Sequence, residues 1–408
     1  MLQKILDATG LTAHVCASLL GIDFGVFDSW ASGQRPIPES MVGLLSSVLG
    51  VKPEVITFAG KHQKSVDPGD IMPAIWYKFR GTDFGNADRE CALLMRHFGY
   101  CINELEEVTE KKSVGWHVLF EEIRRSTDLQ APPREQGRQA ARMYSQSRGL
   151  AQGATGIGDV IRGNLRSMGV VVIETPFPDS TIEGCSFYVG LHETERPCVF
   201  ANTYSTTWFR RNAILMHEVA HAIFDAENAG ASLDIRNAPE SLDLAEVRAD
   251  AFAQEVLVPR ESIRHLWQKA GANSAAVPTT LQMATIVAIA AAEQQLVIKA
   301  AIAAGLISSE SAEDCRALDI SSELPRLTKH ALSTEEFIKV TPEASGWVGK
   351  RKTTIPSRGL LLPAPYIKSV LESYQGGDIS LGKVAELLMV DEDTLHERFP
   401  EVFELAYE

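Results

Sequence analysis

The feature that most constrains the fold of this chain is a pair of histidines four residues apart, His217 and His221, in the sequence MHEVAHAIFD. Residues at this spacing share one face of an α-helix, so both imidazoles can point at one metal ion. Glu218 lies between them, as in the H-E-x-x-H pattern that binds zinc and keeps the glutamate beside it as a general base. Ser205 or Thr206 is expected to cap the start of this helix. The pattern predicts a zinc-binding helix; the alternative is an ordinary amphipathic helix whose histidines happen to be four apart.

Three acidic residues complete the predicted zinc site. A catalytic zinc ion takes three protein ligands and leaves one position for water. Glu246, on a second predicted helix, is the candidate third ligand beside His217 and His221. Asp250 lies one helical turn after Glu246, and Asp225 one turn after His221. Each of these two carboxylates can accept the remaining ring proton of a zinc-bound histidine, which would orient the imidazole and raise its basicity.

Length and charge limit the classes of protein to which the chain can belong. Its 408 residues exceed one typical domain. The formal net charge of -14 argues against a protein that coats nucleic acid or an anionic membrane. The six cysteines form no C-x-x-C pair, the N-terminus opens no apolar signal segment, and the most apolar run is too short to span a membrane. We therefore expect a cytoplasmic protein with reduced thiols, and a homodimer stays open.

Residues 1–60 have the pattern of a small helical bundle. The sequence predicts a helix that ends at Gly21, a second helix capped by Asp23 that reaches Trp30, and a third helix from Pro38. This pattern resembles the XRE class of helix-turn-helix modules, in which the second helix of the hairpin reads the DNA major groove. Here that helix carries no basic residue, although phosphate contacts need Lys, Arg or backbone amides. DNA binding and packing against a partner protein therefore both stay open.

The remaining chain divides into four predicted units. These are a helical connector, a zinc-binding domain, a helical extension and a C-terminal domain, at residues 61–130, 131–265, 266–325 and 326–408. Apolar runs in the zinc-binding domain predict three short strands, around residues 170–173, 184–188 and 198–202. The predicted fold is mainly α with a small α+β, zincin-like core of a three-stranded sheet and the H-E-x-x-H helix, flanked by helical N- and C-terminal modules. The strand near Cys185 or near Cys198 is expected to be the edge that holds a substrate backbone as an added strand.

The C-terminal unit repeats part of the N-terminal one. Residues 380–391 echo residues 12–23 at a constant offset of 368, so that Ala17 recurs as Ala385. We therefore expect a second helix-turn-helix-like hairpin near the end of the sequence. Its second helix is also acidic, which favours packing over DNA binding. A basic run at residues 349–352 is interpreted as a solvated loop, with nucleic-acid contact as the alternative.

The two halves of the zinc site together resemble one known family. The H-E-x-x-H motif, followed after about 25 residues by E-x-x-A-D-x-F-A at Glu246 and by Leu257-Val258-Pro259, is similar to the ImmA/IrrE family of zinc metallopeptidases. The resemblance covers roughly residues 134–265, and the family usually has Asn where this chain has Asp250. It implies a zinc-dependent, site-specific endopeptidase of a bacterial or phage regulatory system. Its substrate would be a helix-turn-helix repressor, cleaved in response to a stress or mobile-element signal.

Two alternatives follow from this interpretation. In the protease, zinc activates a water molecule, and Glu218 accepts its proton and returns it to the leaving amine. A thiolate from Cys185 or Cys198 could fill the open zinc position and silence the enzyme; otherwise each is simply a buried strand residue. The other class of function is a DNA-binding transcription regulator whose zinc domain is a sensor without turnover. Glu218 favours the protease, because a structural zinc site needs no general base.

Overall fold

The structure confirms the predicted fold class, mainly α with a small mixed sheet against the zinc-binding helix. It is a computed structural model, and the residues that it describes are 2–9, 11–49, 51, 53, 56, 86–109, 115–150, 157–189, 196–204, 206–225, 231–235, 243–273, 276–329, 337–339, 361–390 and 392–400. The basic run at 349–352 lies outside the described residues.

Helices form most of the described chain. Before the sheet they are α1 (Leu2–Thr9), α2 (Ala13–Leu19), α3 (Phe24–Ala31), α4 (Glu39–Leu49), α5 (Asn86–Val108), α6 (Trp116–Ser126), α7 (Pro133–Ser147) and α8 (Ile157–Ser167). The later helices are α9 (Trp208–Phe224), α10 (Leu244–Leu257), α11 (Arg260–Lys269), α12 (Thr280–Ala290), α13 (Gln294–Ala303), α14 (Ser309–Arg316), α15 (Leu324–Leu327), α16 (Ala364–Gln375), α17 (Leu381–Leu387) and α18 (Glu392–Arg398). The H-E-x-x-H motif lies on α9, and the candidate third ligand lies on α10.

Among the described residues, the main sheet has four strands. They are β1 (Val171–Thr175), β2 (Ile182–Val189), β3 (Arg196–Asn202) and β4 (Ala231–Ile235), in the spatial order β1-β3-β2-β4. β1 runs parallel to β3, and the β3-β2 and β2-β4 pairs are antiparallel. A separate hairpin joins β5 (Phe337–Lys339) to β6 (Leu361–Pro363).

The strand order corrects the prediction of a substrate edge near Cys185 or Cys198. The three predicted strands are present as β1, β2 and β3, and β4 extends the sheet on the far side of β2. Cys185 on β2 lies opposite Phe200 of β3 on one side and Leu233 of β4 on the other. β3, which carries Cys198, lies between β1 and β2. Neither strand is an edge, because pairing between segments distant in sequence decides which strand lies outermost.

The two faces of the sheet belong to two hydrophobic clusters. Side chains alternate along a strand, so neighbouring residues point to opposite faces. Val172 and Val199 pack in the cluster that contains α9 and α10, whereas Val171 and Cys198 pack in the cluster that contains α5. The cluster that contains α5 also includes apolar residues of α1 to α4 and of α16 to α18. The helix with the H-E-x-x-H motif therefore lies on one face of the sheet, and α5, with the N- and C-terminal helices packed on it, lies on the other.

The internal repeat seen in the sequence is also a repeat of backbone structure. Thr12 and Ser380 occupy corresponding positions, and the side-chain oxygen of each accepts a hydrogen bond from the N–H three residues later. Gly21 and Met389 also correspond, and both have positive φ, 66° and 57°. The hairpins α2–α3 and α17–α18 therefore share the same cap and the same turn, and both pack against α5.

Within the predicted helical extension at residues 266–325, a bend separates the helices α12 and α13. α12 is followed by Ala291, whose φ of 54° is left-handed, and α13 begins at Gln294. Among the described residues no single helix is long and apolar enough to cross a membrane, and only α12 and α13 taken together, across a 95° bend, pass by length and composition.

A buried ion pair joins α8 to β1 beneath α9. Arg162 Nε and Nη2 each donate to a Glu174 carboxylate oxygen at 2.6 Å, and Arg162 Nη1 donates to Asn212 Oδ1 of α9 at 2.7 Å. Arg211 Nη1 lies 3.4 Å from Glu174 Oε1. Burial raises the pKa of Glu174, but these hydrogen bonds and positive charges outweigh it and hold the pKa below its usual value. The pair therefore keeps an ionised carboxylate inside the protein and links α9 to β1.

Candidate metal centre

The position of helix α9 depends on its cap and on ion pairs at its first turn. Thr207 caps the helix in place of the expected Ser205 or Thr206, and its hydroxyl accepts a hydrogen bond from the N–H of Arg210 at 3.2 Å. Arg210 also donates to Glu183 of β2 and to Glu293, just before α13, at 2.9 Å each. These contacts hold the start of α9 against the sheet, and almost every later side chain of the helix is buried.

The structure brings His217, His221 and Glu246 together at one point. The Nε2 atoms of the two histidines are 3.0 Å apart, and Glu246 Oε2 lies 3.1 Å from Nε2 of His217 and 3.5 Å from Nε2 of His221. Tetrahedral zinc ligands, each about 2.0–2.1 Å from the ion, are about 3.3 Å from one another. These three residues form the cluster among the described residues that could hold a metal ion, since their ligand atoms all lie within 4.8 Å of one another. The separations therefore fit a zinc ion held by three protein ligands.

A carboxylate holds the outer nitrogen of each histidine ring. His217 Nδ1 lies 3.1 Å from Asp250 Oδ1, and His221 Nδ1 lies 2.9 Å from Asp225 Oδ2. Because an ionised carboxylate can only accept, each Nδ1 carries the ring proton and each Nε2 presents its lone pair. The lone pairs face Glu246, so the donor set suits a cation. This is the carboxylate–histidine–metal arrangement of zinc sites.

The surroundings of Glu246 and Asp250 favour their ionised forms. Burial raises the pKa of Glu246, but the adjacent imidazoles of His217 and His221 outweigh it and hold this pKa far below its usual range. Burial also raises the pKa of Asp250, but the hydrogen bond with His217 brings it below its usual value. Burial lowers the pKa of His221, whereas the neighbouring carboxylates of Asp225 and Glu246 raise it and prevail. The site thus gathers negative charge around two imidazoles, which favours a divalent cation.

Glu218 is fully buried between α9 and β2. Gly184 of β2 leaves the space that its carboxylate occupies. A Cβ at Gly184 would overlap Cγ2 of Ile214 and would lie 3.0 Å from Oε1 and 3.3 Å from Cγ of Glu218. A residue without a side chain therefore sets the distance between the sheet and the predicted general base.

Cys185 and Cys198 lie on the other face of the sheet from the metal ligands. Cys185 Sγ is 3.8 Å from Sδ of Met95 on α5, and a Cβ at Gly99 of α5 would be 3.4 Å from Cys198 Sγ. Burial raises the pKa of both thiols, which opposes the thiolate form that binds zinc. This geometry opposes the hypothesis of a zinc-silencing thiol, because strand alternation turns Gly184 toward α9 and Cys185 away from it.

Sequence reasoning misses Arg248, which belongs to the surroundings of the site. Arg248 Nη2 donates to Asp225 Oδ1 at 2.5 Å. It lies two residues after Glu246, on a different face of α10, so helical spacing gives no reason to include it. Gly137 of α7 marks the place where the two helices meet, because a Cβ there would overlap the backbone of Arg248. A glycine inside a predicted helix was the available signal, since it often marks close packing.

Comparison with known protein families finds one that matches part of this chain. A family model described as the IrrE N-terminal-like domain, Peptidase_M78, matches residues 165–287. This range includes the three candidate ligands and Glu218, and the match supports a domain of the zinc metallopeptidase type. It begins and ends later than the predicted domain at 131–265, whose boundaries stay a prediction. Comparison with curated proteins gives no match.

Proposed function

We propose that this protein is a zinc-dependent endopeptidase that cleaves a partner protein at a defined site. The observation that carries the proposal is the convergence of ligand atoms from His217, His221 and Glu246 on a helix pair whose motif also supplies Glu218. Three protein ligands leave a zinc position for water, whereas a structural zinc is closed by a fourth protein ligand. The match of this segment to a peptidase family supports the same chemistry.

Each residue has a defined task in this proposal. The three ligands hold a zinc ion, which when bound polarises a water molecule and the carbonyl of the scissile peptide bond. Glu218 accepts the proton of that water on a carboxylate oxygen and then delivers it to the amide nitrogen as the peptide bond breaks. Asp225 and Asp250 keep the two histidine rings in the orientation that presents Nε2 to the metal.

The strand order and the contacts with α9 together favour β4 as the strand that receives the substrate. Among the described strands, β1 and β4 are each paired on one side, whereas β2 and β3 are paired on both. Of the two outer strands, β4 makes the more extensive contact with α9, the helix with both candidate histidine ligands. An extended substrate segment could add to the outer side of β4 through main-chain hydrogen bonds.

The proposed substrate is a helix-turn-helix repressor, cleaved in response to a stress or mobile-element signal. The match to the IrrE N-terminal-like domain supports this choice, because the ImmA/IrrE family to which the sequence is similar acts on such repressors. The net charge of -14 supports it independently. A negatively charged protein attracts a partner with a basic surface, and a DNA-binding repressor has one.

A second candidate is a DNA-binding regulator in which the zinc domain is a sensor. The hairpin α2–α3 favours it, since Asp23 caps α3 through a hydrogen bond from the N–H of Val26, as expected for a helix-turn-helix module. The charge of α3 opposes it. Phe24, Gly25 and Asp28 are exposed on this helix, and none of them can neutralise a phosphate.

The test compares new protein N-termini in cells that express the wild type or the Glu218→Gln variant. The substitution keeps the size of the side chain and the metal ligands but removes the base, so cleavage should fall by about 10²–10⁴-fold. Glu261→Gln is the matched control, because Glu261 is an exposed glutamate at the start of α11. The assay is repeated with and without stress.

A discrete cleavage site seen with the wild type and the Glu261→Gln control, and absent with Glu218→Gln, is the expected result. Cleavage within a helix-turn-helix protein would also identify the substrate. Identical N-termini in all strains, under every condition, would contradict the protease and favour the sensor. DNA binding by residues 1–60 would then be measured next.

A further inference from the structure

Arg248 connects the metal centre to two other parts of the protein. Its Nη2 donates to Asp225 Oδ1 at 2.5 Å, and its Nη1 donates to Gln136 Oε1 of α7 at 3.2 Å. Its guanidinium carbon lies 4.6 Å from the centre of the Phe224 ring, in a cation–π contact. Arg248 therefore links α10, which carries Glu246, to the end of α9 and to α7.

Asp225 needs such a partner because of where it lies. It is the C-cap of α9, the first residue beyond the regular helix. One of its carboxylate oxygens contacts His221 Nδ1 at 2.9 Å, and the other accepts from Arg248. Since both oxygens are held, the carboxylate cannot rotate without losing one of the two bonds. A cation at the C-terminal end of a helix is also favoured by the helix dipole.

The two carboxylates behind the histidines differ in burial. The side chain of Asp250 is 63% exposed, whereas that of Asp225 is 23% exposed. Interactions between exposed charged groups are screened by water and contribute little. The side chain of Arg248, which contacts Asp225, is only 16% exposed. The contact between Asp225 and His221 is therefore held more firmly than the contact between Asp250 and His217.

Gln136 is itself fixed in the orientation that Arg248 requires. Its Nε2 donates to the carbonyl oxygens of Leu129, at 3.0 Å, and Ala131, at 2.7 Å. With the amide nitrogen used in this way, Oε1 faces α10 and accepts from Arg248. The next residue, Gly137, allows the backbones of α7 and α10 to approach closely at this point.

We propose that Arg248 is a positioning residue of the metal centre: by clamping Asp225 it fixes the ring of His221 and so sets the geometry and strength of zinc binding. The inference rests on the proposed function, because it presumes that the site binds zinc. It predicts that the hydrogen bonds between Gln136 and Arg248, between Arg248 and Asp225 and between Asp225 and His221 make the orientation of the His221 ring depend on the position of α7. Carboxylates behind zinc-bound histidines typically contribute about 10–100-fold to metal affinity.

The experiment measures metal binding by the full-length protein, independently of proteolysis. The metal-free protein is titrated with Zn²⁺ in competition with a chromophoric chelator, and the visible spectrum of the Co²⁺ form reports the ligand geometry. We expect Arg248→Gln to weaken Zn²⁺ binding about tenfold or more and to shift the Co²⁺ bands. Arg248→Lys, which keeps the charge but lacks the planar fork that directs separate N–H groups at Asp225 and Gln136, should restore part of the affinity.

Arg142→Gln is the matched control. Arg142 of α7 donates to Glu255 of α10 at 3.2 Å, so this variant also removes an arginine contact between the same two helices. Neither partner touches Asp225 or a metal ligand in the hydrogen bonds described above. A purely structural role of the α7–α10 contact would make Arg142→Gln and Arg248→Gln alike, whereas a positioning role separates them.

The outcomes distinguish this proposal from the proposed function. Zinc affinity and Co²⁺ spectra unchanged in both Arg248 variants would overturn the positioning role while leaving the zinc site in place. The proposed function, and this inference with it, would be overturned if the wild type binds no stoichiometric zinc. Both would also be overturned if the Glu246→Gln variant binds zinc as tightly as the wild type. If Arg248→Gln does not fold, the comparison of Arg248→Lys with Arg142→Gln decides.

Discussion

Replacing Gly184 by alanine tests whether β2 positions the general base. The added Cβ would overlap Cγ2 of Ile214 and would lie 3.0 Å from Oε1 of Glu218. Ile214 is buried in the close-packed layer between α9 and the sheet, so it has little room to move. The longer side chain of Glu218 can adjust more easily. We therefore expect the carboxylate to move away from β2, and hence from the water that it must deprotonate.

The size of the effect can be worked out for stability and for catalysis separately. One extra methyl group in a well-packed core lowers the free energy of unfolding by about 1–3 kcal/mol. A catalytic group displaced by about 1 Å can lower the rate about 10²-fold. Zinc affinity should stay unchanged, because the three atoms nearest to a Cβ at Gly184 belong to Ile214 and Glu218, and neither residue is one of the three candidate ligands.

The assay measures kcat and KM on a peptide that spans the cleavage site found in cells, together with zinc affinity and denaturant unfolding. Gly163→Ala on α8 is the control, since a Cβ there meets nothing within 4 Å. This control should be more stable by about 0.5–1 kcal/mol, because alanine favours the helix. A Gly184→Ala variant that is destabilised but keeps the kcat of the wild type would refute the positioning of Glu218 by β2.

Two further perturbations test the packing around the site. Arg162→Gln leaves the buried Glu174 without its two-pronged partner, so the free energy of unfolding should fall by about 3–5 kcal/mol at neutral pH in denaturant titrations. The folded-state pKa of Glu174 is lowered, so the contribution of the pair is present above the unfolded pKa and is lost as the pH falls through the folded pKa. The deficit of the variant should therefore shrink in acid, and a pH-independent deficit would contradict the explanation. Cys185→Ser and Cys198→Ser should each cost about 1–3 kcal/mol of stability by burying a hydroxyl, with zinc affinity unchanged. A change in zinc affinity in either variant would return these thiols to the metal site.

The parts of the site that the sequence predicts are those that local spacing decides. His217 and His221, like Glu246 and Asp250, lie one helical turn apart, so each pair shares a face once its helix forms. The same local rule places Asp225 beside His221, and the structure shows this contact at 2.9 Å. The hairpin α17–α18 could be predicted in the same way, because its capping and turn positions recur at a fixed offset from those of α2–α3.

The parts that the sequence does not predict depend on contacts between distant segments. The five residues of β4 alternate between apolar and polar side chains, but so short a run does not reveal that the segment pairs with β2, which becomes visible only in the sheet. Cys185 points away from α9 and into the cluster that contains α5. This direction depends on which residues of β2 face α9, and spacing along the chain does not determine that. Arg248 is recognisable only after α7, α9 and α10 have been brought together, since its partners Gln136 and Asp225 come from the other two helices.

The hydrophobic cluster behind the sheet has a consequence for synthesis of the protein. It contains residues from Leu2 to Phe399, and both repeated hairpins cover α5, the helix that backs β1 and β2. During translation the strands and the metal ligands leave the ribosome long before the segment from Leu362 onward. Until that segment is synthesised, α5 exposes apolar side chains such as Phe98. The centre of the Phe98 ring lies 4.8 Å from the centre of the Tyr366 ring in the folded protein. A nascent chain that ends before this segment can therefore hold all three candidate metal ligands and still lack the support of its sheet, which ties maturation of the site to synthesis of the segment from Leu362 onward.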